Sequence, residues 1–180
     1  MDVRRDVIER LDGAGIGYFV TGSEAMAIHG LAYRATNDID LVIRVDPVDY
    51  ETRLRPAFEP DYLVNELIRI GHRSLGAVIH VAAVGKADFV LRDPDVWGES
   101  AFARRVQIDD PALGLTWVSS LEDLLVAKLE FAGGDRGGLQ ARDCRRIVVS
   151  SPGLDLAYVR AQASGLGLTA FLEDVLVHAD

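Results

Sequence analysis

The chain reads as an α+β fold, a sandwich of strands and helices that ends in a helical C-terminal region, and three observations predict it. Strand-like segments at residues 16–20, 38–45, 77–81 and 87–91 are interspersed with segments of helical spacing. Beyond residue 120 only helical spacing recurs, so strands and helices are followed by helices alone. With 180 residues, 49% of them apolar, the chain can bury one proper core without disulfide or metal staples. The expected division is a core over 1–110 and a helical region over 111–180 packed on it as one structural domain.

Each element has a local cause. Val3, Val7, Ile8 and Leu11 recur at helical spacing and stop at Gly13-Ala14-Gly15, which predicts an amphipathic helix ended by a glycine break. Ile16 to Val20 is short and β-rich and is closed by Thr21-Gly22-Ser23; Glu24 to His29 then reads as a helix capped by Gly30. A strand is expected from Asp38 to Val45, ended by Asp46-Pro47, with Pro47 opening a helix through Tyr50 and Leu54 toward Phe58. Tyr62 to Ile70 satisfies neither period, so strand and helix both stay open there. Residues 77–81 and 87–91 read as a hairpin joined through Val84-Gly85-Lys86. The remainder is expected to be mostly helical. Ser119 or Ser120 caps a helix carrying Leu124, Leu125, Ala127, Lys128 and Leu129, the glycine-rich 133–138 stretch breaks the chain, and helices follow at about 139–149, 154–163 and 168–178.

The chemistry-bearing feature is Gly22-Ser23-Glu24-Ala25 followed by Asp38-Ile39-Asp40-Leu41. In an extended strand alternate residues share a face, so Asp38 and Asp40 project together while Ile39, Leu41 and Ile43 point to apolar packing. Two carboxylates at that spacing can share a divalent metal. Asp88 lies between Ala87 and Phe89-Val90-Leu91, an apolar setting where an unpaired carboxylate is costly to bury and a metal would relieve the cost. Hard cations such as Mg²⁺ take oxygen ligands and complete their shells with water and substrate phosphate. The bland alternative is a set of surface or salt-bridged carboxylates.

Gly22-Ser23-x-Ala25, His29-Gly30, Arg34, Thr36 and Asp38-Ile39-Asp40-Leu41, with Asp88 on a later strand, resemble the polymerase-β-like nucleotidyltransferase superfamily. The helix ending in His-Gly and then Arg-x-Thr is similar to its small bacterial toxin-like branch, the AbiEii-type proteins. The resemblance covers about residues 16–92 and continues more thinly through Ser120-Leu121-Glu122-Asp123-Leu124, Lys128 and Arg142-Asp143. It departs where relatives often carry a Lys-Asp pair and this chain has Arg142-Asp143, then Arg146, and where Ser23 replaces a second glycine.

The resemblance implies a nucleotidyltransferase-like mixed sheet and a Mg²⁺- or Mn²⁺-dependent transferase that moves an NMP from an NTP, ATP included, to a hydroxyl. Asp38, Asp40 and Asp88 would be the catalytic and metal-binding residues. Gly22, Ser23, Arg34, Thr36 and Lys128 would bind the nucleotide. The acceptor would be RNA, a protein or a small molecule, and the branch implies a toxin-antitoxin setting, with a tRNA acceptor and an antitoxin partner. The alternative is a non-catalytic member of the fold that binds nucleotide or a partner in a regulatory role.

Other residues have competing readings. Arg34 contacts substrate or braces its loop, Thr36 contacts nucleotide or favours extended chain, and Lys128 contacts phosphate or is an ordinary solvated lysine. His29 is expected to pack or hydrogen-bond at a helix end, Cys144 to be a bystander, and Trp97 and Trp117 to pack at the core or its edge. A net charge of −9 works against a long non-specific grip on nucleic acid, although Arg142, Arg145 and Arg146, or Arg104-Arg105, would form a local basic surface. No apolar run approaches the ~20 residues that span a bilayer, so a cytoplasmic protein without membrane contact is expected.

Overall fold

The computed structural model describes residues 2–31 and 38–179. Helix α1 (Val3–Gly13) starts at Asp2, whose carboxylate accepts the backbone N–H of Arg4, and buries Val3, Val7, Ile8 and Leu11. Strand β1 (Tyr18–Thr21) runs into α2 (Gly22–Ile28), and β2 (Ile39–Ile43) carries Asp40 at its second position. A 3-10 turn at Pro47–Asp49 leads into α3 (Tyr50–Phe58). The ambiguous segment resolves into two three-residue strands, β3 (Tyr62–Val64) and β4 (Ile68–Ile70), the second fully exposed. Their shortness and exposure explain why neither period shows in the sequence.

Strands β5 (Arg73–His80) and β6 (Lys86–Arg92) form the expected hairpin. The structure beyond it is mostly helical, as expected, but includes a hairpin that the sequence reading lacks. Helix α4 (Val96–Arg104) is followed by a second hairpin, β7 (Val106–Asp110) and β8 (Gly114–Val118), and β8 pairs with β1 in the sheet. Four helices then follow as predicted: α5 (Leu121–Ala132), α6 (Leu139–Ser150), α7 (Leu156–Gly165) and α8 (Thr169–Val177). Ser120 is the cap of α5; its Oγ accepts the Asp123 N–H at 3.1 Å and lies 2.6 Å from Asp123 Oδ2.

Together the strands make one mixed sheet in the order β3-β5-β6-β2-β1-β8-β7, with β4 on the side of β5. At its centre β2 runs antiparallel to β1 and parallel to β6. One face packs on α1 and α3: Phe58 of α3 meets the ring of Phe89 at 6.0 Å between centroids, and Leu41 and Phe89 are fully buried. The other face, which alternation gives to Asp40 and Asp88, looks toward α5 across an open cleft. The apolar side therefore fixes the strands that carry the carboxylates.

Candidate active site

Register brings the central carboxylates together. Asp40 on β2 lies directly opposite Asp88 on β6, and Thr21, the last residue of β1, lies opposite Asp40 on the other side. Asp38 precedes Asp40 by two residues, and so the three carboxylates share a sheet face, as the alternation predicts. Gly22 turns the chain directly over this floor. Its φ is +64°, and a Cβ there would stand 2.0 Å from Asp40 Oδ2, so the site requires a residue with neither a side chain nor a φ penalty. Ser23 follows, half-buried in the first turn of α2.

Asp40 is the carboxyl most affected by this crowding. Burial pushes its pKa up, and the negative charge of Asp88 pushes it further, against the opposing pull of Lys128 and Lys86. Asp88 is not the unpaired buried carboxylate that its apolar neighbours suggest. Its side chain is 37% exposed and accepts a hydrogen bond from Lys86 Nζ at 2.7 Å. The same ammonium lies 3.9 Å from Asp38 Oδ2. Lys86 is in turn held above the ordinary lysine range, mainly by its hydrogen bond to Asp88.

Lys128 closes the cleft from α5, but not as a solvated side chain. It is buried, donating to Asp143 Oδ2 at 2.6 Å and to Gln140 Oε1 at 3.2 Å, both on α6. Thr21, Gly22, Asp40, Asp88, Lys128, Phe131 and Gln140 contribute to the lining of a cavity of about 260 Å³. A neighbouring cavity of about 270 Å³ shares Thr21 and Ala127 and extends to Arg44, Trp97, Phe102 and Asp123. Trp97 is buried there with its Nε1 donating to Asp123, which also accepts from the Tyr158 hydroxyl.

Asp38, Asp40 and Asp88 supply hard oxygen donors of the kind Mg²⁺ prefers, and two of them, Asp38 and Asp88, already stand beside a cation, the ammonium of Lys86. The donor set therefore fits a divalent ion in kind. Among the described residues, however, no three Asp, Glu, His or Cys side chains are gathered closely enough to form a metal cluster. Arg34 and Thr36 lie outside the described residues. His29 does what a helix-end histidine is expected to do, with Nε2 2.8 Å from the Ser119 carbonyl. Cys144 is buried and its thiol is pushed up to about 12, chiefly by burial.

Most of the arginines expected in a local basic surface bond to the chain itself, while Arg142 is exposed. Arg146 donates to the Leu31 carbonyl, Arg145 to the Arg136 carbonyl and Arg105 to the Phe102 carbonyl, while Arg104 bonds Glu122. Sequence reasoning did not assign roles to Lys86, Gln140 or Asp143. The signal for Lys86 was its spacing of two from Asp88 on a strand; Asp143 and Gln140 meet Lys128 only through the packing of two helices.

No family model and no curated protein matches the sequence. Solved structures are similar in fold. The antibiotic-resistance factor ANT(2'')-Ia superposes with a TM-score of 0.60 at 16% identity over 99% of this chain and 100% of that one. Its complex with adenylyl-2''-tobramycin gives 0.55 at 15% identity over 91% and 93%. An antigenic nucleotidyltransferase-like protein from Paracoccidioides brasiliensis gives 0.55 at 18% identity over 97% and 90%. The likeness reaches the fold and does not single out the toxin-like branch: this chain has an α+β, nucleotidyltransferase-like fold.

Proposed function

We propose that the protein is a metal-dependent nucleotidyltransferase that moves an NMP from an NTP to a hydroxyl on a compact acceptor. The observation that carries this reading is the register of Asp40 opposite Asp88 beneath Gly22, with Asp38 on the same sheet face. Asp38, Asp40 and Asp88 would hold Mg²⁺ or Mn²⁺, which supplies charge neutralisation at the attacking and leaving oxygens. Gly22 and Ser23 hold the triphosphate through backbone N–H groups and the serine hydroxyl. Asp88, whose side chain is 37% exposed, takes the proton of the acceptor hydroxyl. The acceptor oxygen bonds to the α-phosphorus as the bond to pyrophosphate breaks. Lys128, fixed by Asp143 and Gln140, contributes positive charge beside the departing pyrophosphate.

Among the expected acceptors a small molecule is favoured over a long RNA. The two adjoining cavities are of small-ligand size, the net charge is −9, and two of the three arginines of the 142–146 cluster, Arg145 and Arg146, bond to backbone carbonyls of the chain itself. ANT(2'')-Ia, similar in fold, has been crystallised with an adenylylated antibiotic. A tRNA acceptor, a protein acceptor and an antitoxin partner belong to the branch resemblance alone.

Incubation with each α-labelled NTP, Mg²⁺ and separate small-molecule, protein and RNA fractions tests the reading. Label should enter the small-molecule fraction, and Asp38→Asn or Asp88→Asn should abolish it while the circular dichroism spectrum is kept. Full activity in either variant would remove that residue from the mechanism. A second reading, a non-catalytic nucleotide binder, is favoured by one observation, the occupation of Asp88 by Lys86. NTP-dependent thermal stabilisation without transfer to any fraction would select it.

A further inference from the structure

We propose that Lys86 is a built-in counter-ion of the carboxylate site, which a divalent cation must displace, so that this side chain sets the metal affinity of the site. The inference rests on the nucleotidyltransferase reading above and concerns a residue outside the resemblance that suggested it.

The geometry is that of a cation bound by the site's own ligands. Lys86 precedes Asp88 by two residues on β6 and so shares its face. One ammonium donates to Asp88 at 2.7 Å while standing 3.9 Å from Asp38, so it holds together carboxylates from two parts of the chain. A lysine ammonium brings one charge and three N–H donors. A divalent cation brings two charges to the same carboxylates and is repelled by an ammonium standing beside them. The two occupants compete.

Displacement is possible because, among the described residues, only the partly exposed Asp88 and Asp38 hold the ammonium. The Lys86 side chain is 40% exposed, and those of Asp88 and Asp38 are 37% and 47% exposed. A flexible four-carbon stem can carry the charge into water without opening the core, and an exposed ion pair of this kind is held weakly. The backbone need not follow. Lys86 pairs with Ile79 across the β5–β6 hairpin, and Gly85 beside it packs closely on Val3 of α1. Lys128, the other cation facing Asp40, has no such freedom, because it is buried against Asp143.

Titration calorimetry of Mn²⁺ into the full chain, dialysed against chelator and free of nucleotide, tests the assignment. Lys86→Met and Lys86→Gln should bind Mn²⁺ about threefold to tenfold more tightly than wild type, since a competing charge has gone. Lys86→Arg keeps the charge and should stay within about twofold of wild type. In chelator the neutral variants should also melt at lower temperature than wild type, with unchanged circular dichroism. Equal or weaker Mn²⁺ binding by both neutral variants, with Asp40→Asn still abolishing binding, would overturn the role of Lys86 and leave the metal-dependent reading standing. No Mn²⁺ binding by wild type or any variant would overturn both.

Discussion

Two lysines face the same carboxylate floor, and they differ in almost everything but charge. Lys86 sits on a strand at the open side of the cleft, with partners that water also reaches. Lys128 sits on a helix beneath the surface, 3% exposed, against an Asp143 that is 1% exposed. The first pair can be exchanged for other ions; the second cannot be opened without disturbing the packed interior between two helices. Identical ion-pair chemistry is thus a replaceable occupant at one end of the site and a structural bolt at the other. The largest predicted effect follows from this. Lys128→Met should cost about 3–5 kcal/mol in denaturant unfolding, because it removes one member of a buried ion pair. Lys86→Met should cost about 1 kcal/mol or less. Adding Asp143→Leu to Lys128→Met should recover most of the loss, since an apolar pair of similar volume replaces the ions. Similar costs for the two lysine variants would erase the distinction.

How much of this was legible in the chain depends on the range of the interaction. The shared face of Asp38 and Asp40 follows from a period of two, and Gly22-Ser23 marks a turn by residue type alone. The start of α5 at Ser120 is written in its cap. The hairpin β7–β8 was not legible. Val106, Gln107 and Asp109 of β7 are all exposed, so the outer strand has little one-sided burial to print an alternation. Helix α4 hides for a similar reason: Val96 is 84% exposed and Gly98 interrupts it, while only Trp97, Ala101 and Phe102 face inward. Lys128 with Asp143 illustrates the long-range limit. Fifteen residues and a glycine-rich break separate them, and only the packing of α5 against α6 makes the amphipathic lysine a buried one.

The glycine corner sharpens the comparison from a third side, because it constrains Asp40 as Asp143 constrains Lys128. Gly22→Ala places a Cβ at 2.0 Å from Asp40 Oδ2 and 2.9 Å from Asp40 Cβ, so rotation of the carboxylate alone cannot relieve the clash. The positive φ adds ~1–2 kcal/mol for any L-residue, and overpacking adds a similar amount, for a total of about 2–4 kcal/mol. Transfer activity should fall with it, since the Asp40 side chain must leave its position beneath Gly22. Gly30→Ala is the control. It shares a positive φ, but its Cβ would meet nothing within 4 Å among the described residues, so it should lose only the conformational part and keep activity.

The smallest effect tests how far the two lysines neutralise the floor. Asp40 has a raised pKa in the fold, through burial first and Asp88 second, and Lys128 offsets this more than Lys86 does. A carboxyl raised on folding binds more protons folded than unfolded. Its ionisation therefore erodes stability as pH climbs from the ordinary carboxylate range through the raised value. Asp40→Asn removes that erosion. In chelator the variant should melt like wild type at pH values below the ordinary range and progressively above it as pH rises to neutrality. Adding Lys86→Met to the otherwise wild-type chain strips one of the offsetting charges, so the gap opened by Asp40→Asn in that background should widen. A gap that is flat with pH would mean that folding does not raise Asp40, and a sloping gap unchanged by Lys86→Met would mean that the exposed ammonium does not act on Asp40 and that its hold reaches only Asp88 and Asp38.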